Sequence, residues 1–242
     1  MLSVDALHKT YDDEPVLRGV DLTVQAGTIL SILGRSGSGK TTLLRIIAGL
    51  DDADTGTVAL NGHSLDGQSP RERGIVYLSQ EPLLFPHLSV RENVAFGLDL
   101  RDLSEDEIDT RTRAMVEALG LSDHIHKRPH QLSGGQKQRV AFGRAAILNP
   151  NLLLLDEPFA NLDVDIRTQM QDLFQEIAAT FGITALFVTH NLKEALLMGD
   201  RLAHLRNGVL KMYASRNDFV RDPAVGVQDE MAFWTDLHDR TK

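Results

Sequence analysis

Cysteine is absent from the 242 residues. Disulfides and thiolate-held metals are therefore excluded, and a small secreted fold stapled by cross-links is not expected. Long apolar runs are missing as well. A helix that spans a bilayer needs roughly 20 apolar residues, and the densest run here, Leu152 to Leu155, stops at Asp156 and Glu157. The opening residues Met1-Leu2-Ser3-Val4-Asp5 lack the basic stretch and apolar core of a signal peptide, so none is expected. Any membrane role must come through a partner. Positive charge is not in excess either: the net charge is −9, which gives no broad electrostatic footprint for nucleic acid. There is no internal repeat and no low-complexity segment. What remains, 42% hydrophobic and 24% charged residues, is ordinary for a globular protein. The length suits one domain with an insertion, or two small subdomains.

The pattern along the chain alternates strands with helices. Leu17, Val20, Leu22 and Val24 make an alternating strand, with a turn at Gly27. Thr28 to Leu33 is a short apolar strand that enters a glycine-rich loop, and Thr42 to Leu50 reads as a helix. Thr57 to Leu60 followed by Asn61-Gly62 predicts a strand ending in a tight turn. The middle is helical: Ser104 and Glu107 have capping-box spacing, Ile108, Met115 and Leu119 follow at helical intervals, and Gly120 closes the helix. Gly134 to Leu148 is a second helical stretch. After it, Leu152 to Leu155 and Thr184 to Val188 read as fully buried strands. Between them Ile166, Met170, Leu173, Phe174 and Ile177 form one helix face. Arg201 to Ala214 reads as a hairpin turning at Asn207-Gly208. The alternation predicts an α/β core on a parallel sheet.

Three motifs carry chemistry. Gly34-Arg35-Ser36-Gly37-Ser38-Gly39-Lys40-Thr41 follows the G-x-x-x-x-G-K-[ST] pattern between a strand and a helix, the context a phosphate loop requires. Glycines let several N–H groups converge on one anion, and the helix N-terminus adds its positive dipole end. Lys40 can reach the β- and γ-phosphates, and Thr41 offers a hydroxyl to Mg²⁺. Asp156 and Glu157 end a buried strand, where ligands sit in open α/β sheets. Asp156 there suits a role in holding Mg²⁺, and Glu157 can take a proton from an attacking water. Alone, the pair would read as a solvated strand end; beside a phosphate loop it does not. The third motif, Leu132-Ser133-Gly134-Gly135-Gln136, opens a helix. It is a second anion site by the same physics, although Ser133 could simply cap the helix.

Taken together these motifs resemble the ATP-binding cassette ATPases, over nearly the whole chain and in the family's order. The resemblance extends to Gln80 at the Q-loop position, Asn161-Leu162-Asp163 at the D-loop, and His190, in Phe187-Val188-Thr189-His190, as the switch histidine. Tyr11 stands where an aromatic stacks on adenine. The resemblance implies an α/β fold with a P-loop NTPase (RecA-like) core, an antiparallel β subdomain and an inserted α-helical subdomain. A single cassette domain, 1–242, would have its nucleotide-binding core at 1–81 and 151–242 and its helical signature subdomain at 82–150. ATP and Mg²⁺ are the implied cofactors. Tyr11, residues 34–41 and Thr42 would bind the nucleotide of one subunit. Ser133, Gly134, Gly135, Gln136 and Asp163 would complete the site of a second, head-to-tail copy. Thr41, Gln80 and Asp156 would serve the metal, and Glu157, His190 and Gln80 the hydrolysis. Ala160-Asn161-Leu162-Asp163 and Phe142-Gly143-Arg144-Ala145-Ala146 depart from commoner versions without removing any such residue.

Gln80 to Val90, then Glu92 to Leu98, is similar to bacterial importers of ferric iron, polyamines, molybdate, sulfate and sugars. In that group the segment lines a groove for a coupling helix of the membrane subunit, though Leu84, Phe85 and Leu88 could also be plain core. The implied partners are a second cassette subunit in a homodimer, permease subunits and, indirectly, a solute-binding protein, with no nucleic acid. The implied place is the cytoplasmic face of the plasma membrane. An extra C-terminal β-domain of about a hundred residues, found in many of that group, is not expected. An exporter subunit, a soluble cassette ATPase of DNA repair or translation, and a P-loop kinase are the competing readings. No fused membrane domain, coiled-coil insertion or zinc cysteine favours the first two, and Leu132 to Gln136 speaks against the kinase. His124, His126 and His130 read as a solvated loop, because Pro129 interrupts a helix there. Asp12-Asp13-Glu14 and Asp51 to Asp54 read as acidic turns.

Overall fold

The computed structural model describes residues 1–228 and 230. In chain order the elements are β1 (Leu2–Tyr11), β2 (Glu14–Val24), β3 (Ile29–Leu33), α1 (Lys40–Ala48), β4 (Thr55–Leu60), β5 (His63–Ser64) and β6 (Ile75–Leu78). Then come α2 (Val90–Ala95), α3 (Glu105–Ala118), α4 (Gly134–Ala146), β7 (Leu152–Asp156), α5 (Val164–Phe181) and β8 (Ala185–Thr189). The last are α6 (Leu192–Met198), β9 (Arg201–Arg206), β10 (Val209–Met212) and α7 (Arg216–Arg221). The chain divides into two compact units, Met1–Gly67 with the described residues from Leu186 onward, and Gln68–Ala185. Among the described residues no helix is long and apolar enough to cross a membrane.

The first unit holds two sheets. In one, the order is β2-β1-β4-β5 and the pairs are antiparallel. Leu2, Val4 and Leu7 of β1 and Leu17, Val20, Leu22 and Val24 of β2 are buried, so one face is apolar. The alternation of β1 breaks at Ala6, whose φ is 47°, where the register shifts. That bulge hides β1 from a reading based on strict alternation. The second sheet runs β10-β9-β3 and then the part of β8 that belongs to this unit. β3 is parallel to β9, and all five of its residues are buried, as a strand covered on both faces should be. The two Asn-Gly turns fold as predicted: Asn61 and Gly62, like Asn207 and Gly208, all have positive φ, the requirement of a type I′ hairpin. The helix α7 packs under the sheet. Phe219 joins Leu33, Leu202, Tyr213 and Val225 in one cluster. The expected core assignment for 231–242 lies outside the described residues.

The second unit pairs β6 and β7 in parallel, Ile75 with Leu152 through Leu78 with Leu155. Phe174 of α5 meets Phe142 of α4 and Phe159 edge-on, with ring centroids 5.3 and 6.4 Å apart. Two helix boundaries differ from the sequence expectation. α1 starts at Lys40 and ends at Ala48, because Gly49 adopts the left-handed conformation (φ 77°). Leu50 is consequently 45% exposed rather than part of the apolar face. α4 ends at Ala146, short of Leu148. The Ser104 side chain accepts the Glu107 N–H, capping α3 as its spacing predicts. A fuller box, not read from the sequence, caps α2: Ser89 Oγ accepts from Glu92 N–H, and the Glu92 carboxylate accepts from Ser89 N–H at 2.7 Å.

Candidate functional site

In the first unit the buried strand β3 delivers the chain into the loop Gly34 to Gly39, and α1 begins at Lys40. The loop is pinned at its start by the Gly34 N–H, which donates to the Thr189 carbonyl at 3.1 Å. Ser38 N–H turns back to the Arg35 carbonyl, also at 3.1 Å. Gly39 has φ 101° and no room for a side chain: a Cβ would lie 2.9 Å from Leu17 Cδ2 and from the Val16 carbonyl oxygen. A Cβ at Gly34 would meet Ser38 Oγ at 2.5 Å. No side chain caps α1, so the anion-attracting end of the helix is left to the loop. Arg35, Ser36, Gly37 and Thr41 are exposed, Thr42 is half-buried, and Ser38 and Lys40 are buried.

Two features of the loop suit a bound triphosphate. The Lys40 ammonium donates to the carbonyls of Gly34 at 2.8 Å and Arg35 at 3.0 Å, so the cation is folded onto its own loop. Ser38 Oγ is buried without a hydrogen-bond partner, and a buried hydroxyl of this kind calls for one. His190, exposed just after β8, lines the same cavity of about 600 Å³ as Gly34 to Ser38. His204 and Arg206 line it too. Burial and then the neighbouring Arg206 hold the His204 imidazole below its ordinary pKa.

Tyr11 is exposed at the end of β1. Its hydroxyl donates to the Asp51 carboxylate and also meets the Thr42 side chain of α1. The hydrogen bond to Asp51 is the main reason the phenol is pushed above its usual pKa and the carboxyl of Asp51 is held below its own. The Lys9 ammonium lies 5.0 Å from the centre of the Tyr11 ring, a cation–π geometry. The aromatic is thereby tied to the helix that follows the phosphate loop.

In the second unit, β7 carries Asp156 inward to 6% exposure. The Tyr77 hydroxyl of β6 donates to its carboxylate at 2.8 Å. Glu157 then adopts φ 46°, a left-handed conformation rare for a non-glycine residue, and is half-buried. Backbone strain of this kind clusters at functional positions. Gln138 of α4 donates to the Pro158 carbonyl at 2.7 Å, which ties the segment after Glu157 to the helix of the second glycine loop.

That loop is also a helix cap. Ser133 Oγ accepts from Gln136 N–H at 3.2 Å, and Gln136 Oε1 accepts from Ser133 N–H at 3.0 Å. Ser133 and Gly134 are exposed, and Gln136 is partly exposed. Gly135 is buried and has no room for a side chain: a Cβ there would sit 2.5 Å from Ile166 Cγ2 of α5. Asp163, the first residue before α5, is exposed and makes no side-chain cap bond. Gln80 is exposed after β6.

The segment after Gln80 is organised by a residue that motif reading left unassigned. Asn93 is fully buried. Its Oδ1 accepts from Phe85 N–H at 2.9 Å, and its Nδ2 donates to the carbonyls of Phe85, Leu88 and Ser89 at 3.1, 3.1 and 2.9 Å. Arg144 closes the other side: it donates to the Leu83 carbonyl at 2.5 Å, and its guanidinium lies 5.1 Å from the Phe85 ring centre. Leu83 is left 67% exposed, while Leu84, Phe85 and Leu88 are half-buried. Among the described residues, no three His, Asp or Glu side chains gather where they could hold a metal ion, the His124 to His130 loop included.

A model of the ABC transporter family matches residues 17–160. The chain belongs to the ABC transporter family. It is 41% identical to a spermidine/putrescine import ATP-binding protein, PotA, of Nitratidesulfovibrio vulgaris, over 93% of the chain and 61% of that protein. It is 42% identical to a molybdate/tungstate import ATP-binding protein, WtpC, of Pyrococcus horikoshii, over 92% of the chain and 64% of that protein. An sn-glycerol-3-phosphate import ATP-binding protein, UgpC, of Ruegeria pomeroyi is 39% identical over 92% of the chain and 64% of its own length. This ABC chain thus spans 61–64% of the length of those curated relatives. Among solved structures it resembles the ATP-binding cassette MJ0796, described as a dimeric post-hydrolysis state bound to ADP and Pi. The TM-score is 0.78 at 31% identity, over 88% of this chain and 98% of that one. The α/β ABC ATPase fold, with its antiparallel β subdomain, is the one expected from the sequence.

Proposed function

We propose that this chain is the ATP-hydrolysing subunit of a bacterial importer and works as a head-to-tail homodimer. The observation that carries the reading is the phosphate loop, with Lys40 folded onto the carbonyls of Gly34 and Arg35 and the Ser38 hydroxyl buried without a partner. Both groups find natural partners in phosphate oxygens. Residues 34–41 and Thr42 hold the triphosphate, with Lys40 on the β- and γ-phosphates. Tyr11 stacks on adenine.

Mg²⁺ fits the donors present: an exposed Thr41 hydroxyl, the Asp156 carboxylate and the exposed Gln80 amide are all oxygen ligands. Mg²⁺ sites on phosphate substrates use only one or two protein carboxylates, so no larger acidic cluster is required. Bound magnesium would neutralise charge on the β- and γ-oxygens. Tyr77 fixes which way the Asp156 carboxylate faces. Glu157 accepts a proton from the attacking water, and His190 contacts the γ-phosphate and that water. Ser133 to Gln136 and Asp163 of one copy complete the site of the other.

The importer reading is supported by the names of the relatives and by the Leu83 to Leu88 segment, whose exposed leucine and ordered loop suit a helix of a permease subunit. A solute-binding protein would act indirectly, and the subunit would sit at the cytoplasmic face of the plasma membrane. Glu157→Gln tests the chemistry. ATP binding should persist while turnover falls by about 10²–10⁴-fold, with an ATP-bound dimer accumulating in size-exclusion chromatography. Turnover at the parental rate would remove Glu157 as the base.

A further inference from the structure

A buried carboxylate follows His190 by four residues and has no part in the reading above. Glu194, in the first turn of α6, is 3% exposed. The Thr189 hydroxyl donates to its Oε2 at 2.7 Å. A carboxylate has only acceptors, so it commits the single hydroxyl proton of Thr189 to itself. The lone pairs of Thr189 Oγ1 then face the Asn191 N–H, which donates to that hydroxyl oxygen at 3.0 Å. The Asn191 side chain in turn caps α6, accepting from the N–H groups of Lys193 at 2.9 Å and Glu194 at 3.2 Å. Through its backbone, Thr189 does something else: its carbonyl accepts the Gly34 N–H that starts the phosphate loop. His190 lies between Thr189 and Asn191. The residues on both sides of it are therefore fixed, one of them to the loop that holds phosphate.

We propose that Glu194 is a positioning residue for His190, acting through the Thr189 hydroxyl so that the imidazole and the phosphate loop keep one relative placement. The proposal rests on the reading of His190 as the γ-phosphate contact. Ala195 and Met198 supply the buried face of the same short helix, and an apolar residue at 194 would avoid the cost of burying charge. The oriented hydroxyl is what an apolar residue could not provide.

The test uses steady-state ATP turnover of the full chain together with binding of a fluorescent ATP analogue. Glu194→Leu should lower kcat between about tenfold and a hundredfold, the scale of a misplacement of roughly 1 Å. Nucleotide affinity should stay within about threefold, since the phosphate loop keeps its own bonds. Glu194→Gln retains an acceptor for the Thr189 hydroxyl and should recover most of kcat. Thr189→Val, nearly isosteric, should reproduce the Glu194→Leu defect. In a His190→Ala background, Glu194→Leu should add less than about a twofold loss, because residues acting through one another are not additive. Parental kcat in Glu194→Leu, or an undiminished further loss in the His190→Ala background, overturns the proposal. If His190→Ala alone keeps parental turnover, the reading of His190 fails and takes the proposal with it. Should Glu194→Leu lose its folding transition, Thr189→Val carries the same criteria, and parental kcat there is equally fatal.

Discussion

Asp222 illustrates how single side chains hold the first unit together. One carboxylate oxygen accepts from Lys211 at 2.6 Å and from the Tyr213 hydroxyl at 2.8 Å, and the other accepts from Ala224 N–H at 2.9 Å. The Lys211 ammonium, followed by Tyr213, holds its carboxyl far below the usual range. Burial, and then this hydrogen bond, push the Tyr213 phenol up. A depressed carboxylate stabilises the fold above its unfolded pKa, about 3.9, and that stability is lost as the pH falls through the folded value. Asp222→Asn should therefore lower the melting temperature at pH 7, and the gap to the parent should narrow as the pH drops below about 4. A gap that stays constant down to pH 3 would show that the charge of Asp222 is not the stabilising feature.

At the scale of elements, the Phe85 to Ser89 loop depends on α2 through one amide. Asn93→Ala would leave Phe85 N–H and three carbonyls without their side-chain partner. A loss of about 1–3 kcal/mol in urea unfolding is expected, with faster amide exchange at Phe85 while the amides of α5 keep their protection. Unchanged protection at Phe85 would show that the loop orders itself. Elements also differ in how plainly the sequence declares them. The phosphate loop was legible because everything it needs is local: a strand, glycines at fixed offsets, a lysine and a helix. β7 and β8 were legible as continuous apolar runs, and the two Asn-Gly turns from their turn chemistry. β1 was missed because the bulge at Ala6 breaks its alternation. Asn93, Tyr77 and Glu194 were missed as organisers because each acts on a partner that spacing alone does not reveal. Tyr77 reaches a residue 79 positions away. The Asn93 amide gathers loop carbonyls that no pattern of residue types encodes.

For the whole molecule, the head-to-tail dimer makes a prediction about where two lesions fall. Lys40→Ala disables the phosphate loop of its own chain. Ser133→Arg disables the second loop, which in the proposed head-to-tail dimer would serve the partner's nucleotide. Mixed dimers with one Lys40→Ala chain and one Ser133→Arg chain place both lesions in the same site and should keep about half of parental turnover, if the two sites fire independently. Dimers with both changes on one chain and a parental partner lose both sites and should be inactive. Equal activity in the two arrangements would refute the shared site. The motifs from which this arrangement is proposed are read from the sequence. The sequence names no solute, because nothing in a phosphate loop or a helix cap depends on one.

Lys40 also bears on what the loop will refuse. Its ammonium already has two carbonyl partners inside the loop. A ligand can draw it away only by offering something more negative than a peptide oxygen. Adenosine has nothing to exchange, whereas pyrophosphate does, without any base at all. Discrimination at this end of the nucleotide is therefore a competition between oxygens, decided by charge before shape has a say.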